Sequence, residues 1–180
     1  MEGERVVVLA FSGGAAAAYA CGTYLPERIA TVGIVSGATW PVGPPPPDDL
    51  LRSAADALSS DPGAAVAGLA ADAYPLDRLA LADPDVDRRL RDGAADAVAG
   101  GVEGWVTDGR LTRAPWPFDP ADVGVPVRLW HGLLDDIVPV REARAVRDAL
   151  PRGTLKVIPD AGHLGWMTQE VQIISELLNG

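Results

Sequence analysis

The chain is poor in the residues that build disulfides and metal sites: 180 residues hold one cysteine and two histidines. A single thiol, Cys21, excludes an internal disulfide. It falls in a predicted helix, and packing is its expected role. Two histidines and one cysteine cannot form a zinc cluster without carboxylates, and no H-E-x-x-H spacing occurs. No metal and no organic cofactor are expected. Basic residues are also scarce, 15 against 25 acidic, for a formal net charge of -10. That sign excludes nucleic acid and anionic membrane as favoured partners. No apolar run approaches the length of a membrane span, and the N-terminus lacks a signal-peptide pattern. A cytoplasmic location is therefore expected. What the chain does have is apolar content, 48%, enough for a core in one domain.

The most informative stretch is Val6-Val7-Val8-Leu9-Ala10-Phe11-Ser12-Gly13-Gly14, followed by four alanines. A β-branched run predicts a strand, and a continuous apolar run predicts one buried in a parallel sheet. The two glycines predict an abrupt turn, and the alanine run predicts a helix. Ser12 at such a turn sits on a strained backbone with its hydroxyl pushed outward. The residues two before and two after it must be small where strand and helix nearly touch, and Ala10 and Gly14 are. The N–H of Gly13 falls at a helix N-terminus, where developing negative charge is stabilised.

Further along, residues 30–36 (ATVGIVS) predict a second parallel strand, reached by a right-handed crossover. Five prolines within residues 41–47 form a stiff linker. Residues 48–114 lack strand patterns. Asp48 or Asp49, Asp61-Pro62 and Asp83-Pro84 each read as a helix start, giving helices through Leu58, Ala73 and Ala99. The expected organisation is a core of residues 1–40 and 115–180, with residues 41–114 inserted as a small helical lid. Residues 124–132 predict the third strand, 141–150 a helix and 154–158 the fourth strand. A last helix is expected from Met167 to Leu178, with Val171, Ile174, Leu177 and Leu178 on its buried face.

Ser12, Asp135 and His163 each fall just past a predicted strand end, where open α/β sheets place their sites. In chain order they read serine, acid, histidine. The stretch A-F-S-G-G resembles the nucleophile elbow of α/β-hydrolases, with alanine in place of the first glycine. V-P-V-R-L-W-H-G-L-L-D-D-I-V-P resembles that family's acid segment, and A-G-H-L its histidine loop. Gly-Val-Glu-Gly-Trp at 101–105 and Ala-Pro-Trp-Pro-Phe-Asp at 114–119 are similar to bacterial members near the proline-iminopeptidase and epoxide-hydrolase branch. The resemblance implies a serine hydrolase cleaving an ester or amide of a small molecule. It implies Ser12 as nucleophile, His163 as base, Asp135 as the acid that orients it, and Gly13 as an oxyanion donor. Asp136 is then a solvated neighbour, and His131 is assigned to structure. Phe11, Trp40 and Trp166 are the candidate pocket residues, with packing as the competing role for the two tryptophans.

The resemblance covers the C-terminal part of the fold: four parallel strands, flanking helices and the lid. The elbow strand, interior in the family, becomes an edge here, and Val6, Val7, Val8 and Leu9 need partners on one side. A homo-oligomer or a complementing N-terminal chain is the expected answer. The alternative to an enzyme is a non-catalytic or truncated remnant, acting as a binding module or as one half of a two-chain enzyme.

Overall fold

The computed structural model describes residues 4–37, 46–71, 74–112 and 114–179. Four parallel strands lie side by side in sequence order: β1 (Val6–Phe11), β2 (Ile29–Val35), β3 (Val127–Gly132) and β4 (Gly153–Ile158). The helices of the core are α1 (Ala15–Tyr24) between β1 and β2, α7 (Val140–Ala149) between β3 and β4, and α8 (Glu170–Asn179) at the end. This is the four-stranded parallel arrangement with flanking helices that the resemblance implies.

The two-residue period of the strands divides the core between two faces. Val32, Ile34, Val127 and Leu129 point to one face, where Ala18 and Tyr19 of α1 and Val146 of α7 cover them. Val35 and Trp130 point to the other, under Ile173 and Leu177 of α8. Sheets covered on both faces demand strands apolar on both sides, hence the unbroken hydrophobic runs in the sequence.

At α8 the structure departs from the expected pattern. Residues Gly165–Gln169 wind as a 3-10 turn, and α8 starts only at Glu170. Its buried face is Ile173 and Leu177; Val171 is 83% exposed, and Ile174 and Leu178 also face outward. The cause is Gly33 in β2. A Cβ there would lie 2.7 Å from Leu177 Cδ2, so the missing side chain forms the seat that sets the helix's rotation.

Between β2 and β3 the described residues form five α-helices where the sequence reads as three: α2 (Asp48–Ser60), α3 (Pro62–Ala71), α4 (Pro75–Ala82), α5 (Pro84–Ala99) and α6 (Glu103–Leu111). Ala73 and the proline-rich stretch 41–45 lie outside the described residues. Asp61 and Asp83 act as the expected N-terminal acceptors, taking the N–H of Ala64 and Asp85 at 2.8 Å each. Asp48 does not cap α2; it is the first helical residue and pairs with Arg110 of α6. Leu51, Ala55 and Val106 form a small core of this helical layer. The layer meets the sheet end through α4, which packs against the Gly165–Gln169 turn, and through a bidentate pair between Arg89 and Glu170.

Among the described residues no helix is long and apolar enough to cross a membrane. β1 is an edge of the described sheet, with Val6 53% and Leu9 39% exposed.

Candidate active site

The site assembles at the carboxyl ends of β1, β3 and β4. β1 ends at Phe11, and the next three residues, Ser12–Gly14, form one 3-10 turn that runs directly into α1. So abrupt a reversal forces Ser12 to φ 51°, a left-handed conformation that a non-glycine residue adopts at a cost. A Cβ at Gly14 would sit 3.7 Å from the Cβ of Ala10, so strand and helix come into van der Waals contact there. Thr112, just past α6, comes within 3.2 Å of where a Gly13 side chain would begin, which brings the helical layer over the turn.

Asp135 lies in the turn after β3. Its Oδ1 accepts the N–H of Ile137 at 3.1 Å and of Val138 at 2.8 Å. Its Oδ2 accepts from His163 Nδ1 at 2.9 Å. His163 follows β4 in a loop pressed onto the end of β3. At Gly132 a Cβ would fall 2.2 Å from the Gly162 carbonyl oxygen, so only glycine permits this approach. His163 Nε2 then stands 3.0 Å from Ser12 Oγ. The structure thus brings together the serine, histidine and acid that the sequence leaves 151 and 28 residues apart.

The protonation pattern follows from the partners. A carboxylate only accepts, so Nδ1 of His163 carries the proton that faces Asp135. Nε2 is left with its lone pair toward Ser12, and the serine hydroxyl donates. Burial alone would raise the Asp135 carboxyl. Hydrogen bonds from His131, His163 and the Val138 N–H outweigh it and hold Asp135 well below the ordinary carboxylate range, so it is an anion at neutral pH.

His131 belongs to this network. It is 1% exposed, and its Nε2 lies 2.6 Å from the Val138 carbonyl and 3.3 Å from Asp135 Oδ2. Both neighbours are acceptors, so Nε2 donates. The structural assignment made from sequence places His131 correctly inside the fold but misses its contact with the acid. Asp136 is exposed beside it.

A cavity of about 700 Å³ opens beside Ser12, walled by Gly13, Ala16, Trp105, Leu111 and Thr112. Neither Phe11 nor Trp166 lines this cavity. Phe11 lies between His163 and Trp166, with ring centroids 5.1 and 5.3 Å away and the planes tilted by 45° and 47°, and Trp166 is buried in the core under α8. Trp40 lies outside the described residues. The sequence reading missed Trp105 and Leu111, because α6 carries two glycines, Gly104 and Gly109, and shows no strong helical pattern. Among the described residues no group of three or more histidine, cysteine or acidic side chains is placed to hold a metal ion.

The chain is similar in structure to an esterase from Thermogutta terrifontis, at 24% identity and a TM-score of 0.70, covering 97% of this chain and 65% of that one. It is similar to the enol-lactonase from Burkholderia xenovorans LB400, at 16% identity and a TM-score of 0.73, covering 98% and 66%. It is also similar to a bromoperoxidase from Bacillus anthracis, at 19% identity and a TM-score of 0.70, covering 97% and 66%. At these identities the likeness is one of fold, and the chain spans less than two thirds of each of these proteins. No curated protein matches the chain significantly. Residues 1–175 match the alpha/beta hydrolase family, and the chain belongs to that family.

Proposed function

We propose that the chain is a serine hydrolase acting on an ester or amide of a small molecule through an acyl-enzyme on Ser12. The observation that carries this reading is the continuous relay Ser12 Oγ, His163 Nε2, His163 Nδ1, Asp135 Oδ2, with both links at 2.9–3.0 Å. Membership of the alpha/beta hydrolase family supports it.

In the proposed reaction Ser12 Oγ attacks the substrate carbonyl carbon while His163 Nε2 takes its proton. The Gly13 N–H, at the mouth of α1, stabilises the oxyanion. Collapse of the tetrahedral intermediate breaks the bond to the leaving group, which takes the proton from His163. Water, deprotonated by the same nitrogen, then hydrolyses the acyl-serine. Asp135 stabilises the imidazolium in each step and stays ionised. The helices of residues 48–111 act as a lid, since α6 supplies Trp105 and Leu111 to the cavity wall.

Hydrolysis of short-chain aryl esters by the pure chain tests the reading. Turnover is expected, and His163→Ala is expected to remove it. A folded chain with no turnover would favour a binding module instead, and turnover indifferent to His163 would contradict its role as base.

A second expectation concerns assembly. The exposed side chains of Val6 and Leu9 leave apolar surface along the edge strand. Self-association, or capture of a complementing chain, through the β1 edge would cover it. Sedimentation at micromolar concentration should show a species heavier than the monomer. A compact monomer with slow amide exchange at Val7 and Leu9 would contradict this.

A further inference from the structure

The histidine loop is gripped from outside the triad. Asp77 lies on α4, in the helical layer, and is 4% exposed. Its Oδ2 accepts the N–H of Gly162 at 2.5 Å, and its Oδ1 accepts the N–H of Leu164 at 2.5 Å. These are the two amides that flank the residue between them, His163. Burying a carboxylate is costly unless it is hydrogen-bonded throughout. Here the two loop amides satisfy one oxygen each. Pro75 opens α4, and Asp77 stands in its first turn, where the helix dipole favours a negative charge.

The packing around this contact leaves no slack. A Cβ on Gly162 would meet Tyr74 Cδ2 at 2.6 Å and Asp77 Oδ2 at 2.9 Å. A Cβ on Gly165 would meet Ala161 Cβ at 2.6 Å and Leu76 Cβ at 3.0 Å. The Leu76 N–H also donates to the Asp160 carbonyl at 3.2 Å, so α4 holds the loop on both sides of the histidine. Asp160 itself sits at φ 58°, a strained turn that needs such support.

We propose that Asp77 is a positioning residue for His163, an inference that rests on reading His163 as the general base. By fixing the Ala161–Gly162 and His163–Leu164 peptide groups, the carboxylate holds the backbone on both sides of His163 and sets the direction of the imidazole. Both ring nitrogens must point along one line, Nδ1 to Asp135 and Nε2 to Ser12, and a small rotation of the loop backbone breaks both contacts. Asp77 therefore links the helical layer over the cavity to the base that works beneath it. Movement of α4 would be felt at His163 without any contact between α4 and substrate.

The test compares the wild-type chain with Asp77→Asn, which keeps the shape of the side chain but replaces one acceptor oxygen with a donor. Two readouts are taken. The first is the rate of Ser12 labelling by a fluorophosphonate. The second is the ¹⁵N-histidine NMR signal of the His163 Nδ1–H, readable because the chain has only two histidines. The expected result is labelling slowed by roughly 10- to 100-fold, the range for lost orientation of a reacting group, and loss or broadening of the low-field Nδ1–H resonance. Should Asp77→Asn fail to fold, Gly162→Ala serves, because it keeps the carboxylate while forcing loop and helix apart, and the same two changes are expected. A folded variant with wild-type labelling and an unchanged Nδ1–H signal overturns the proposal. If the wild-type chain itself is not labelled, the hydrolase reading fails, yet the Nδ1–H signal still decides whether Asp77 orients the ring.

Discussion

Ser12→Ala is expected to lower hydrolytic turnover by about 10⁶-fold, the loss seen when a serine nucleophile is removed from such a triad, while leaving the fold intact. The reason for so uneven an effect lies in the local structure. Ser12 Oγ is the atom facing His163 Nε2 at 3.0 Å, and removing it leaves the base with nothing to activate. The backbone cost at φ 51° is already present in the serine and stays nearly the same for alanine. Gly13 and Gly14, which allow the turn to meet Thr112 and Ala10, are untouched. Equal denaturation midpoints together with collapsed turnover would be the signature. Equal turnover would mean that the chemistry uses another group.

Asp135→Asn is expected to cost about 10⁴-fold in turnover, the effect of trapping the wrong imidazole tautomer. Geometry dictates which way the amide sits. The Ile137 and Val138 N–H groups require an acceptor at the Oδ1 position, so the oxygen of asparagine stays there. Its NH₂ then occupies the Oδ2 position, facing His163 Nδ1 and close to His131 Nε2. Two donors cannot face each other, so His163 gives up its Nδ1 proton and carries one on Nε2 instead. In that tautomer it can no longer accept from Ser12. The same substitution should change acid stability. The Asp135 carboxyl is depressed in the folded chain, so the unfolded chain takes up its proton first as pH falls. Its contribution is complete above about pH 4, the ordinary aspartate value, and is lost as pH falls below that. Denaturation midpoints of the variant should therefore fall less steeply with acid than those of the wild type.

Much of this was legible in the sequence because the parts are local. β1 and β2 are short apolar runs, and each site residue sits just beyond a strand end, so the order Ser12, Asp135, His163 was legible once the resemblance of the acid segment picked out Asp135. The elbow was legible because a strained turn needs Ala10 and Gly14 nearby. Other features depend on tertiary contact and leave little trace. The helix α4 does carry a start signal, proline at Pro75 and an acid at Asp77, but in a stretch already rich in Asp-Pro starts it passed unnoticed. Nothing in the sequence marks Asp77 as buried rather than solvated; that follows only from the arrival of Gly162 and Leu164. The apolar stripe expected on α8 was real in period but wrong in rotation, because Gly33, far away in the chain, sets the seat for Leu177. His131 and Phe11 show the same limit. One read as plain structure and touches the acid; the other read as pocket and also lies against the ring of the base.

The most direct test of the central claim is to treat the pure chain with a fluorophosphonate and locate the adduct by peptide mass spectrometry. One adduct is expected, on Ser12 in the peptide that joins β1 to α1, and none in Ser12→Ala. Labelling on another residue, or labelling that survives Ser12→Ala, would contradict it.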